Sequence, residues 1–249
     1  MAAAAGWQLS KLSRIEHGAR NASEEDIRSW CRHCHAEDQI PELIATGRNI
    51  QAMWLEWRRN LSTGTKIRQQ QSIALYEQTH VFRVYQPNVV WGSLQTAEYA
   101  AAVLRQVIDF YEIPDDVDRG VAARMERQQY LYKGDRRFNV ILGEQALYTN
   151  IGGLDVLRGQ LDRLLAVATL PRLSLGIIPT KASCHLWPGN GFICFDERTV
   201  MIETYSAELT VTQPREIALY LKAFALLQRS AAYGQAAREL LARALADAG

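Results

Sequence analysis

Apolar residues recur every three to four positions through the first half of the chain and in short β-prone runs only later. The pattern therefore predicts helices first and strands after them. Residues 6–36 read as two short helices joined by a turn. In the first, ended by Gly18, Leu9, Leu12 and Ile15 fall within one arc of roughly 120° at about 100° per residue. Ser10, Lys11, Ser13 and Arg14 take the opposite side. The second starts at Ser23, with Asp26 three residues on in the acidic position of a capping box. Its expected buried stripe is Ile27, Trp30, Cys31 and Cys34. Pro41 to Arg59 is predicted as a helical connector, Asn60 to Lys66 as a break, and Ile67 to Thr79 as another helix.

Thr96 to Tyr111 carries Ala97, Ala100, Val103, Leu104 and Val107 at helical spacing, and Asp115 or Asp116 suits the cap of a helix running through Tyr130. Asn139–Leu142 and Leu173–Ile178 are short and β-prone, with a helix over Asp155–Leu170 between them. Phe192–Phe195 and Val200–Glu203 flank the polar link Asp196–Thr199, a hairpin pattern. Pro214 to Ala248 closes the chain as one or two helices, with Pro214 at a first helical position and Gly234 as a break. The fold class expected is α+β: a partial helix-turn-helix at 1–36, a helical connector at 37–78 and an α+β effector- or partner-binding domain at 79–249.

Composition narrows the function classes. The chain has 249 residues, 48% hydrophobic and 22% charged, an ordinary globular make-up. Its 28 Lys+Arg against 27 Asp+Glu leave a net charge of +1. Any nucleic-acid contact must then rest on a local site rather than on a basic surface. The opening Met1–Ala5 lacks a signal peptide's basic leader and apolar core, and no apolar run approaches the roughly 20 residues that span a bilayer. Four cysteines are too few for a disulfide scaffold. The expected location is the cytoplasm, away from membranes.

Candidate chemistry is sparse. Cys31-Arg-His-Cys34-His35 has a zinc-like spacing, yet no second paired half exists: Cys184-His185 is adjacent and Cys194 stands alone. Buried thiols are the simpler reading, and no metal or cofactor is expected. Glu98, Glu144 and Glu203 with Arg124 and Arg127 form a candidate polar ligand pocket, with Trp187 as an aromatic wall. Paired carboxylates there would suit acid–base work, although Glu98 in a first helical turn and Arg/Glu neighbours at 124–127 are also common structural features. Trp187, Phe192, Phe195 and Tyr205 offer either an apolar pocket or core packing. No phosphate-binding loop or nucleophile elbow is present. No catalytic residue is assigned, and an enzyme is the least favoured class.

The run Ser10-Lys-Leu-Ser-Arg-Ile-Glu-His-Gly18 followed by Ser23-Glu-Glu-Asp-Ile-Arg-Ser-Trp30 resembles the xenobiotic-response-element type of helix-turn-helix regulator found in actinobacteria. That resemblance implies a recognition helix over Gln8–Glu16, with Gln8, Ser10, Lys11, Ser13 and Arg14 contacting double-stranded DNA and Glu16 in a structural role. A complete domain of that type begins with further helices before this point, and only Met1–Ala5 precede Gly6 here. Gly92-Ser-Leu-Gln-Thr-Ala-Glu-Tyr-Ala100 is similar to the signature of a domain of unknown function that accompanies such segments. Trp54–Arg59, Arg124-Met-Glu-Arg-Gln128, Leu142-Gly-Glu144 and Glu203-Thr204 extend the likeness from Gly6 to Tyr233, while Trp91 stands where that family often has Pro. The likeness implies a homodimeric regulator whose second domain binds a small-molecule effector or a small protein partner. The rival expectations are an antitoxin-like protein-binding module without DNA binding, or an enzyme recruited from the scaffold.

Overall fold

The structure, a computed structural model, describes residues 5–17, 20, 22–44, 54–56, 61 and 64–249, apart from the side chains of 54–56, 67 and 71. The chain divides into two compact units, Met1–Leu55 and Glu56–Gly249.

In the first unit, helix α1 is Leu9–Glu16 and helix α2 is Glu24–His33. The capping box forms as expected: the Asp26 amide donates to Ser23 Oγ, and the Ser23 amide donates to Asp26 Oδ2, both at 3.1 Å. Helix α1 buries none of its residues, and Leu9 is 77% exposed. Gly18, expected to end α1, lies outside the described residues. Cys31 is buried, but Cys34 is exposed and does not belong to the stripe. It is the C-cap of α2 with φ −105°, so the helical repeat that would turn its thiol inward has already ended.

The second unit is α+β. Helix α3 (Thr65–Gln78) precedes strand β2 (Val81–Gln86), and helices α4 (Ala97–Tyr111) and α5 (Val117–Arg127) follow it. Then come β3 (Arg137–Gly143), α6 (Leu154–Val167), β4 (Leu173–Ile178), β5 (Phe192–Phe195), β6 (Thr199–Glu203), β7 (Ala207–Val211), α7 (Pro214–Ser230) and α8 (Gly234–Asp247). Strand β1 is Trp54–Glu56, and the strands of the second unit follow the order β7-β6-β5-β2-β3-β4. Strands β2, β3 and β4 run parallel, and β2-β5-β6-β7 are antiparallel neighbours.

Three expectations change. The helix placed over Pro41–Arg59 is helical at 41–44 and strand at Trp54–Glu56; 45–53 and 57–60 lie outside the described residues. Strands do not wait for the second half, because β2 sits at the centre of the sheet. Nor does Asp116 cap its own helix. Asp115 Oδ1 accepts from the Val117 amide at 3.1 Å, and Asp116 turns to the start of α3. There its Oδ1 accepts from the Thr65 amide at 2.8 Å and hydroxyl at 2.7 Å, and its Oδ2 from the Lys66 amide at 2.9 Å. The residue before α3 is Gly64, at φ 99°, with no side chain to cap the first amides. A Cβ there would lie 2.5 Å from Asp116 Oδ2, so the glycine admits the distant carboxylate.

Register assigns the two sheet faces. Phe82, Phe138, Leu173 and Phe195 stand in one row and Val84, Val140, Leu175 and Ile193 in the next, all on the face that joins α6 and α8 in one continuous core. Tyr85, Ile141, Phe192 and Cys194 point to the other face, against which α7 packs and Phe192 meets Tyr220. Ile177 in β4 exchanges both backbone hydrogen bonds with Ala232, at 3.0 and 2.8 Å. Among the described residues no helix is long and apolar enough to cross a membrane.

Gly159 lies on the exposed side of α6 with nothing within 4 Å of a Cβ added there. Gly159→Ala is expected to stabilise the chain by about 0.5–1 kcal/mol, because alanine loses less backbone entropy in a helix. Urea unfolding reads the gain as a higher midpoint at unchanged slope.

Candidate functional site

Two helices and one sheet end bring together the groups with the most unusual surroundings. From α5 come Arg124 and Arg127, 9% and 8% exposed, one helical turn apart. From α3 come Arg68, Gln69, Ser72 and Tyr76. The facing strands supply Glu203 and Glu208, paired directly across β6 and β7. Two carboxylates in such a pair repel, and Arg68 sits against both: it is ion-paired with Glu208, its Nη2 lies 3.9 Å from Glu203 Oε1, and Nη1 donates to Ser72 Oγ at 2.6 Å. Burial pushes the Glu208 carboxyl up; Glu203 adds to the rise, and the Arg68 charge only partly offsets it.

Arg124 and Arg127 have no such partner: among the described residues neither has a carboxylate within ion-pair reach. Arg124 Nη1 donates to Gln95 Oε1 at 2.5 Å, and its Nε reaches Gln69 Oε1 only at 3.5 Å. Arg127 Nη1 is 3.5 Å from the Gln69 carbonyl oxygen, and its guanidinium carbon stands 5.1 Å over the Tyr76 ring. Among the described residues its buried Nε has no hydrogen-bond partner. Burial and the adjoining Arg127 charge pull Arg124 down from 12.5 to about 10, which leaves it charged at neutral pH. A desolvated cation–π contact is worth about 2 kcal/mol, whereas burying a lone charge costs several. Neutral amides and one ring therefore compensate these two cations incompletely.

The turn Gly92–Gln95 closes the cluster. Gln95 Nε2 donates to the Val90 carbonyl at 2.7 Å, and Gln128 Nε2 donates to the Gln95 carbonyl at 2.6 Å, which fixes both amides. At Gly92 an added Cβ would meet Arg127 Nη2 at 3.6 Å and Arg124 Nε at 3.7 Å. Both guanidinium groups thus border the space that a side chain at 92 would fill.

Of the six residues expected to share a pocket, Arg124 and Arg127 adjoin and Glu203 lies at their margin, within electrostatic reach of Arg124. The other three are elsewhere. Glu98 is exposed in the first turn of α4, beside a hollow lined by Thr96, Asp155, Val156 and Gly159. Glu144 follows β3 and accepts from the Thr180 amide at 2.6 Å. Trp187 is 78% exposed. The apolar pocket of Trp187, Phe192, Phe195 and Tyr205 does not form, since residues three apart on a strand point to opposite faces: Phe195 meets Tyr76 and Phe82, and Phe192 meets Tyr85. Arg68, Gln69 and Glu208 escaped the sequence reading, whereas Gln95 and Gln128 stood inside its quoted motifs. Among the described residues no group of three or more acidic, His or Cys side chains is placed to hold a metal ion.

In the first unit Gln8, Ser10, Ser13 and Arg14 are all exposed on or beside α1. Lys11 faces α2 instead: its Nζ is 2.5 Å from Asp26 Oδ1 and 4.4 Å over the Trp7 ring. Trp7 meets Trp30 edge-on at 5.8 Å, so α1 is held to α2 at two points. Burial works to raise the Asp26 carboxyl, but hydrogen bonds from Lys11 and Ser23 prevail and hold it below its ordinary value.

Among solved structures, the archaeal chromatin protein TrmBL2, described as showing a novel mode of DNA binding, aligns at 12% identity over 85% of this chain and 69% of its own. The TM-score is 0.37, too low a likeness to carry an assignment. No curated protein matches the sequence. The family model described as "Domain of unknown function (DUF5753)" matches residues 69–243, which hold the whole arginine–glutamine cluster except Arg68, and this chain belongs to that family.

Proposed function

We propose that the chain is a DNA-binding transcriptional regulator of the xenobiotic-response-element helix-turn-helix type, acting as a homodimer, with its family domain sensing a ligand or partner. One observation carries the reading. Helix α1 buries none of its residues, yet Lys11–Asp26 and Trp7–Trp30 pin it to a capped neighbour. A helix so held presents Gln8, Ser10, Ser13 and Arg14 outward, as a major-groove reader requires. Lys11 then acts as a brace rather than a contact. Half-site reading by a symmetric dimer is the usual geometry for such a motif.

The first 36 residues carry five Lys/Arg against four acids, so affinity would depend on few phosphate contacts and fall only moderately with salt. The test is fluorescence anisotropy on a labelled duplex from upstream of the chain's own gene, across a salt series. Saturable binding is expected, weakened about tenfold or more in Arg14→Ala. If wild type binds no better than Arg14→Ala, or not at all, the DNA reading is wrong.

A second reading, an antitoxin-like module that binds a small protein, is favoured by one feature of the family domain. Phe110 and Tyr205 are 63% and 85% exposed with ring centroids 5.8 Å apart, an aromatic pair of the kind enriched at protein interfaces.

A further inference from the structure

We propose that Arg124 and Arg127 form an oxyanion site within the family domain, taking the carboxylate or phosphate group of a small molecule. The inference deepens the sensing role above and rests on it for its consequence at DNA. Three observations point to an anion. Both guanidinium groups are buried with no carboxylate in ion-pair reach among the described residues, although buried charges are ordinarily paired. Arg127 Nε is a buried donor without an acceptor among the described residues. And the absent side chain of Gly92 leaves a space bordered by Arg127 Nη2 and Arg124 Nε, so two guanidinium edges face one small volume.

The cluster's own carboxylates are not available to fill that role. Glu208 is engaged by Arg68, and Glu203 lies on the Arg68 side at the surface. The contacts that Gln69 gives the two arginines are both 3.5 Å long, at the outer limit of hydrogen bonding. An oxyanion would replace these with short charge-assisted bonds, for which the planar guanidinium fork is well shaped. Gln95, held by the Val90 carbonyl and by Gln128 at its own carbonyl, keeps Arg124 in place as the anion enters. The ligand's remainder would lie toward the Glu203 margin.

The experiment is thermal unfolding of the full chain, without DNA, titrated with sodium phosphate or sodium acetate against sodium chloride at matched ionic strength. A rise in Tm over chloride that climbs with the logarithm of concentration above Kd, reaching about 3–6 °C near tenfold Kd, is expected for at least one oxyanion, and it should vanish in Arg127→Gln. A response to phosphate alone assigns a phosphorylated ligand, and one to acetate alone a carboxylate. Phosphate also strengthens folding non-specifically, but that effect is roughly proportional to concentration and does not follow its logarithm. A rise that stays proportional to concentration throughout, a rise retained in Arg127→Gln, or no difference from chloride overturns the site. Should Arg127→Gln not fold, the shape of the wild-type titration still decides. Because DNA is absent, failure here is distinct from failure of the regulator reading.

Discussion

Asp116→Asn melts about 6–12 °C below the wild type at neutral pH. The carboxylate accepts three hydrogen bonds at the start of α3 from 50 residues away in sequence, in a setting that leaves it 5% exposed. Asparagine keeps one acceptor oxygen but turns an amide nitrogen toward one of the backbone donors, and it removes the charge that favours a helix N-terminus. Losing a buried, charge-assisted set of this kind costs about 3 kcal/mol, and each kcal/mol moves Tm by about 2–4 °C in a domain of this size. The same residue gives an acid signature. Burial acts to raise the Asp116 pKa, but the amides of Lys66 and Thr65 and the Thr65 hydroxyl outweigh it and hold the value below the ordinary 3.8. Its stabilising contribution is thus complete above that value and is lost as pH falls through the lower, folded-state one. Melting curves for both chains should therefore converge in acid. Equal Tm at neutral pH, or a gap that does not narrow in acid, would show that Asp116 is not the cap of α3.

Gly143→Ala should be comparably damaging for a different reason. Gly143 ends β3 with φ −70°, a conformation any residue adopts, so strain in its own backbone is not the issue. The obstacle is Pro87, just past β2: a Cβ at 143 would stand 2.4 Å from its carbonyl oxygen and 3.1 Å from its carbonyl carbon. Backbone cannot rotate aside as a side chain can, and β2 and β3 lie inside the sheet, so the two strands would have to separate. Overpacking of this kind costs about 1–3 kcal/mol and sometimes more. Gly176→Ala serves as the comparison. There the obstructing atoms belong to the Tyr233 ring, at 2.6 Å, and a side chain has more freedom to move. Gly143→Ala is expected to have the lower Tm of the two in parallel melts. The reverse order would mean that the β2–β3 connection yields more readily than the Tyr233 packing.

Much of the helical framework was legible because its signals are local. Ser23 with Asp26, Thr96 before α4, Pro214 at the start of α7 and Gly234 at the start of α8 each act within a few residues of the boundary they set. Strands β3 to β6 were legible for the same reason. Strand β2 was not: Val81-Phe-Arg-Val-Tyr-Gln86 is covered on both faces, so it lacks alternation, and Arg83 breaks the apolar run. That arginine is accommodated by Glu197, 3.6 Å away, and by the Asp196 carbonyl, which no local window brings near. β7 was hidden likewise by Glu208, whose partner Arg68 lies 140 positions earlier. In the candidate site, Arg124 and Arg127 were found because they share one helical turn, while Glu98, Glu144 and Trp187 were grouped with them by chemistry alone. Motif membership proved the better guide, since Gly92, Gln95, Arg124, Arg127 and Gln128 come from two quoted motifs and end side by side.

The two-bond exchange between Ile177 and Ala232 bears on how copies of this chain meet. An uncovered outer strand is a template on which another chain can add its own strand, and such addition leads to runaway association. Outward-facing backbone groups of β4 come at alternate residues, and the Leu173 amide is already bonded to Leu170 while Ile177 is bonded to Ala232. The two flank Leu175, which leaves no unbroken ladder there for an incoming strand. Sheet extension through β4 is thereby blunted from within the chain. At this edge a pair of these molecules would have to associate through side chains, which are selectable one residue at a time, instead of through a backbone ladder open to any extended peptide.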